Sequence, residues 1–153
     1  MERDAFHHEA RTQWIGGRML RVTVEGKIDL EASAPPEFGG PEGFPAPGDL
    51  FVASACACYM ATFFSVAEGA RLQYGGFTCR ARGTVERLEG KGFQFTKIDL
   101  YPELTIGDEE EEEWANRVLE MSRKNCLVTN SIASAVTVHP TIHGEGKQLT
   151  PVG

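Results

Sequence analysis

Cysteine, histidine and positive charge are all scarce in this chain. Four cysteines in 153 residues, in a reducing compartment, do not read as a disulfide scaffold; they read as core residues, metal ligands or redox groups. Fifteen Lys and Arg against 22 Asp and Glu leave a net charge of −7, which argues against nucleic acid or an anionic membrane surface as partner. The opening stretch MERDAFHHEA is charged and lacks an apolar core segment. No signal peptide is therefore read there, and a cytoplasmic location is expected. The four histidines, His7, His8, His139 and His143, fall in the end segments, and none has a triad-like context. There is no internal repeat. The length fits one domain over residues 1–153, large enough for a real core.

Against these absences stands one long stretch without charge. From Leu50 to Ala67 no residue is ionised, and the run is bracketed by Pro47 and Gly69. Proline before and glycine after are helix punctuation, so the spacing predicts one buried helix over 47–69 with Cys58 near its middle. Eighteen uncharged residues also reach the lower limit of a membrane span. The run is rich in Ala, Ser, Thr and Cys, however, and no Lys/Arg cluster or interfacial aromatic pair anchors its ends. It is read as the core helix of a globular domain. Because it is apolar nearly all round, more than one side must be covered, and a second subunit is the expected cover.

The flanking segments read as sheet. Residues 8–14, 18–24 and 28–32, separated by Gly16-Gly17 and by Glu25-Gly26-Lys27, look like an antiparallel meander. Residues 33–48 hold five prolines and four glycines, a density that no helix or central strand survives. A strand within 72–86 carries Phe77, Cys79 and Ala81 on one face. A turn at Gly90-Lys91-Gly92 leads to a strand over 93–100, extending to Ile106 past Pro102. Asp108 is placed to cap a helix whose first turns carry Glu109 to Glu113 and whose last carries Arg123 and Lys124. A short helix from Thr129 through Ala135 and a last strand over 136–142 complete an α+β fold with antiparallel sheet.

Cys56 and Cys58 are two apart on the helix, and at about 100° per residue they point to nearly opposite sides. They are poorly placed to share a metal or to pair with each other. Cys79 reads as core. Cys126, after a helix, reads as the more accessible thiol. A buried thiol with a second thiol at a helix end is the layout of an attacking and a resolving cysteine. Cys58 lies some two turns inside its helix and would need a cation to lower its pKa; Arg18, after the Gly16-Gly17 turn, is the candidate.

These residues carry a resemblance. Gly16-Gly17-Arg18, then Pro36-Glu37-Phe38-Gly39-Gly40, then Pro47-x-x-Leu50-Phe51-x-Ala53 with Cys58 eleven residues after the proline, and Cys126 in CLVTNS 68 residues further on, together resemble the OsmC/Ohr superfamily of thiol-dependent hydroperoxide reductases. The resemblance runs from about Trp14 to Ile142. It implies Cys58 as peroxidatic cysteine, Cys126 as resolving cysteine, and Arg18 as the residue that stabilises the thiolate and orients the peroxide. It implies an intertwined homodimer with the central helices at the interface and sites between subunits. It also implies a dithiol reductant of lipoyl or low-molecular-weight type, and no metal or organic cofactor. Two positions depart from the pattern. The family carboxylate that pairs with the arginine falls at Gly48, leaving Asp49 as the neighbouring acid, and the proline after the second cysteine is Leu127. Because Asp49 is also a plausible helix cap, Arg18 is expected to be held more loosely.

The expected activity is therefore reduction of organic hydroperoxides through a Cys58 sulfenic acid and a Cys58–Cys126 disulfide. Phe38, Phe51, Phe63 and Phe64 suit an alkyl substrate. Two other readings stay open at this point: a small-molecule binding protein that keeps the fold's pocket without the catalysis, and a cysteine hydrolase using Cys58 with His139 or His143 as base.

Overall fold

The computed structural model describes residues 3–144. The chain forms two compact units, Met1–Leu50 and Phe51–Gly153, described in turn.

The first unit is a three-stranded antiparallel meander: β1 (Arg11–Gly16), β2 (Met19–Val24) and β3 (Ile28–Ser33). The third strand begins where the pattern placed it, the second one residue later and the first three residues later. The turn between β1 and β2 needs two left-handed residues, and glycine fills both, with φ 114° at Gly16 and 55° at Gly17. Arg18 follows directly. After β3 the chain makes tight irregular turns, and Pro36–Phe38 closes a single 3-10 turn that the proline density had not led us to expect. Proline tolerates the first turn of a helix because its missing N–H would have no partner there. Gly40 is obligatory on steric grounds: a Cβ at this position would run into the carbonyl oxygen of Ala34.

The second unit is built on α1 (Pro47–Gly69), whose bounds match those read from the sequence and whose first turn belongs to the preceding unit. Beyond it lie two 15-residue strands, β4 (Tyr74–Leu88) and β5 (Gly92–Ile106), paired antiparallel along their whole length. Every fourth residue of α1, Ala55, Tyr59, Phe63 and Ala67, is buried, and this stripe lies over the inward residues of the two strands. Phe63 stacks on Phe77 with ring centroids 4.2 Å apart, and Phe51 meets Phe95 at 4.7 Å. The approach is close: a Cβ at Gly83 would lie 2.6 Å from both Val52 and Phe95. On β5, Ile98, Leu100, Leu104 and Ile106 are fully buried. Asp99, Tyr101 and Glu103 alternate with them on the other face.

Asp108 caps as expected, accepting from the Glu110 N–H at 2.9 Å. A 3-10 turn then leads into α2 (Glu112–Lys124), which buries Ala115, Val118, Leu119 and Ser122. Two late elements differ from the sequence reading. The short helix α3 is Leu127–Asn130, not Thr129 to Ala135. The last strand is two strands, β6 (Ala135–Val138) and β7 (Thr141–Gly144). Pro140 divides them because it has no N–H to give the ladder. Both pair with β5 in parallel, so the sheet is mixed where an antiparallel one was expected.

Of the described helices, α1 is the one long and apolar enough to cross a membrane by length and composition. In this structure its buried stripe packs on protein.

Candidate active site

Cys58 lies beside the buried stripe of α1, half-buried rather than enclosed. Its sulfur faces α3. The Val128 N–H points at Cys58 Sγ across 3.5 Å, and the Leu127 N–H and the Cys126 thiol also hydrogen-bond to it. The reason is the helix start. Cys126 is the residue before α3, with extended backbone angles, φ −72° and ψ 112°. The first N–H groups of a helix have no carbonyl ahead of them. In α3 these orphan donors, Leu127 and Val128, are satisfied by sulfur.

Burial alone would push the Cys58 thiol up. The donors Val128, Cys126, Thr62 and Leu127 outweigh it and hold the thiol below its ordinary value. Thr62 has one hydroxyl proton, given to the Cys58 carbonyl at 2.8 Å, so it serves the sulfur only by leaving that carbonyl. Cys126 goes the other way: burial raises it, Thr129 opposes with its side chain and N–H, and the neighbouring Cys58 raises it further. The two thiols are thus a matched pair, Cys58 the acidic partner and Cys126 the proton donor.

The exposures are the reverse of the sequence expectation. Cys126, expected to be accessible, is fully buried, because α3 folds back on the end of α2. Arg123 makes that fold-back, donating to Thr129 Oγ1 at 3.2 Å and to Asn130 Oδ1 at 3.1 Å. Asn130 returns a bond to the Lys124 carbonyl at 2.7 Å. Cys58, expected to be buried, is half-buried and the more accessible of these two thiols.

Sequence reasoning sought the activator of Cys58 in a cation and missed the N–H groups of Leu127 and Val128. One signal was available. The resembled family carries proline at the position of Leu127, and proline has no N–H to donate.

Arg18 and Asp49 belong to the first unit. Arg18 gives its carbonyl to the Ala34 N–H at 3.1 Å, and its guanidinium lies over Gly39, where a Cβ would stand 3.3 Å from Nε. The Gly-Gly-Arg and Pro-Glu-Phe-Gly-Gly motifs therefore meet. Asp49 Oδ2 accepts from the Ala46 N–H at 2.8 Å. Asp49 thus closes the start of α1 from the third helical position, not as the cap itself. Among the described residues no ion pair joins Asp49 to Arg18. Asp49→Ala is expected to cost about 1 kcal/mol of stability and to leave the pH dependence of Cys58 alkylation unchanged. Thermal unfolding and an alkylation profile check the two halves, and a shifted profile would give Asp49 a part in activating the thiol.

The histidines weighed as bases are engaged elsewhere. His139 Nε2 pairs with Asp99 Oδ1 at 2.8 Å, and its ring stacks on Tyr101 at 4.8 Å. His143 Nε2 meets Glu103 Oε1 at 3.2 Å. Among the described residues no histidine is hydrogen-bonded to Cys58.

The family model for OsmC-like protein matches residues 39–141. No curated protein matches the chain. Among solved structures, an OsmC-like protein of unknown function from Vibrio cholerae superposes with TM-score 0.81 at 21% identity, covering 90% of this chain and 100% of that one. An organic hydroperoxide resistance protein from Elizabethkingia anophelis gives TM-score 0.75 at 22% identity, covering 94% and 100%. Another from Legionella pneumophila gives 0.74 at 23%, covering 92% and 99%. At such identities the likeness speaks for the fold alone. The α+β architecture is theirs, and with the family model spanning two thirds of its length, the chain belongs to the OsmC-like protein family.

Proposed function

We propose that the protein is a cysteine-based peroxidase that reduces organic hydroperoxides to alcohols. The observation that carries this reading is the Cys58 sulfur, held below the ordinary thiol pKa by the Val128 and Leu127 N–H groups while the Cys126 thiol donates to it. The thiolate, not the thiol, attacks peroxides. In the proposed cycle the Cys58 thiolate attacks one peroxide oxygen, the O–O bond breaks, and the alkoxide leaves as alcohol after taking a proton. Cys58 is left as sulfenic acid. The Cys126 thiol then attacks that sulfur, water leaves, and a Cys58–Cys126 disulfide forms. A dithiol reductant of lipoyl type exchanges with the disulfide and restores both thiols. The names of the two organic hydroperoxide resistance proteins of like fold support the substrate class.

In this proposal Arg18 supplies positive charge and orients the peroxide, and the working form is a cytoplasmic homodimer. The exposed face of α1, where Phe64 is 49% accessible, supports an interface along the helix.

The test is the mass of the protein before and after one equivalent of an organic hydroperoxide. Loss of two hydrogens, mapped to a Cys58–Cys126 linkage, is the expected result. Unchanged mass with consumption of no peroxide would sink the proposal in favour of a binding protein.

A further inference from the structure

The other two cysteines are also a pair. Cys56 lies on the opposite flank of α1 from Cys58, since two residues turn a helix by about 200°. Its Sγ donates to the Cys79 carbonyl at 3.2 Å, and it neighbours the Cys79 thiol, whose own proton goes to the Arg80 carbonyl at 3.8 Å. Cys79 is on the face of β4 that packs against α1, with Phe77 and Ala81. Both side chains keep partial access to solvent. The four thiols of the chain, all reduced, thus fall into two couples that share a helix but not a flank.

We propose that Cys56 and Cys79 are a second redox site, a dithiol that exchanges with low-molecular-weight disulfides and closes a bridge between α1 and β4. The inference does not rest on the peroxidase reading. In the first step the Cys56 thiolate attacks one sulfur of the small disulfide. The S–S bond breaks, one small thiol leaves after taking up a proton, and Cys56 carries a mixed disulfide. In the second step Cys79 gives up its proton and attacks Cys56 Sγ, expelling the second small thiol. Two protein thiols are oxidised by two electrons, and one small disulfide is reduced to two thiols.

Cys56 attacks first because its partner is held protonated: burial, with the neighbouring Cys56 adding to it, pushes the Cys79 thiol up to about 12. The couple therefore rests reduced and reacts slowly, and exchange accelerates in alkaline solution. The bridge spans 23 positions of sequence. It ties the helix that bears Cys58 to the sheet beneath it, one turn or less from the reactive thiol, while leaving Cys58 and Cys126 free.

The experiment uses the Cys58→Ser/Cys126→Ser double variant, which keeps this couple and removes the other. The protein is held in mildly alkaline buffer with excess oxidised glutathione, then alkylated and weighed. The expected result is loss of two hydrogens, a fall from two alkylated thiols per chain to none, and a Cys56–Cys79 linked peptide on digestion. Adding Cys79→Ser should halt the reaction with glutathione on Cys56. Two thiols that stay alkylatable, or glutathione retained on Cys56 beside a free Cys79, would overturn the proposal. Should the double variant not fold, the unaltered protein is treated and digested in the same way, and the linked peptide is again the criterion.

Discussion

Cys58→Ser is expected to reduce hydroperoxide turnover to background, while Cys56→Ser leaves turnover within about a factor of five, which is about 1 kcal/mol of barrier. The contrast follows from helix geometry and hydrogen bonding together. Only Cys58 faces the N–H groups of α3; Cys56 faces β4. A serine hydroxyl at position 58 stays protonated near neutrality and cannot replace a thiolate. Cys126→Ser separates the two chemical steps. It should still allow one sulfenic acid per chain, trapped by a dimedone-type reagent, but no intramolecular disulfide. Serine keeps a hydrogen-bond donor toward Cys58, so Cys126→Ala should slow the first step more than Cys126→Ser. Coupled peroxide consumption measures the first pair of variants, and intact-protein mass the second. Loss of turnover in Cys56→Ser with retention in Cys58→Ser would reverse the assignment.

The second large effect concerns Leu127. Leu127→Pro removes one donor to the Cys58 thiolate and little else. Leu127 is the first residue of α3, where proline is well accommodated. Cys126 before it has extended backbone angles, which suit a residue preceding proline. The leucine side chain is 67% exposed, so its loss opens no core cavity. A hydrogen bond to a charged group contributes about 1.5 kcal/mol or more. Discounted for the partial exposure of Cys58, its removal should slow alkylation at neutral pH roughly threefold to tenfold. The sign is definite: losing a donor to the charged form raises the thiol, so the alkylation profile moves to higher pH. Arg18→Ala, measured in parallel, isolates the contribution proposed for the guanidinium. It should slow reaction with a cumene-type hydroperoxide. An unchanged profile in Leu127→Pro would remove the Leu127 N–H from activation and leave the Val128 N–H and Arg18 as the candidate sources.

Much of the fold was legible because its signals are local. Pro47 and Gly69 bracket a run without charge, and α1 has those bounds. Gly16-Gly17 supplies the two left-handed residues of the first turn, and Asp108 caps the helix start that the acidic run announces. The late segment was harder. Thr129 has the chemistry of a cap, yet the helix begins two residues earlier, because Arg123 and Asn130 draw that turn back onto α2. Nor does alternation of side chains carry strand direction, so the parallel pairing of β6 and β7 with β5 was open.

The chain's own sequence determined that Cys56 and Cys58 could not share a site, since helical pitch follows from composition and punctuation. Whether either thiol was reactive belonged to the tertiary structure. The acidity of a thiol depends on which donors and how much water surround its sulfur, and here the donors come from a position 70 residues away. Cys126 is buried by the fold-back of α3, and Cys79 meets Cys56 only because β4 lies under α1. Spacing along a chain determines which side chains share a helix face. Desolvation and hydrogen bonding between distant segments determine their proton affinities, and those exist only once the segments are packed.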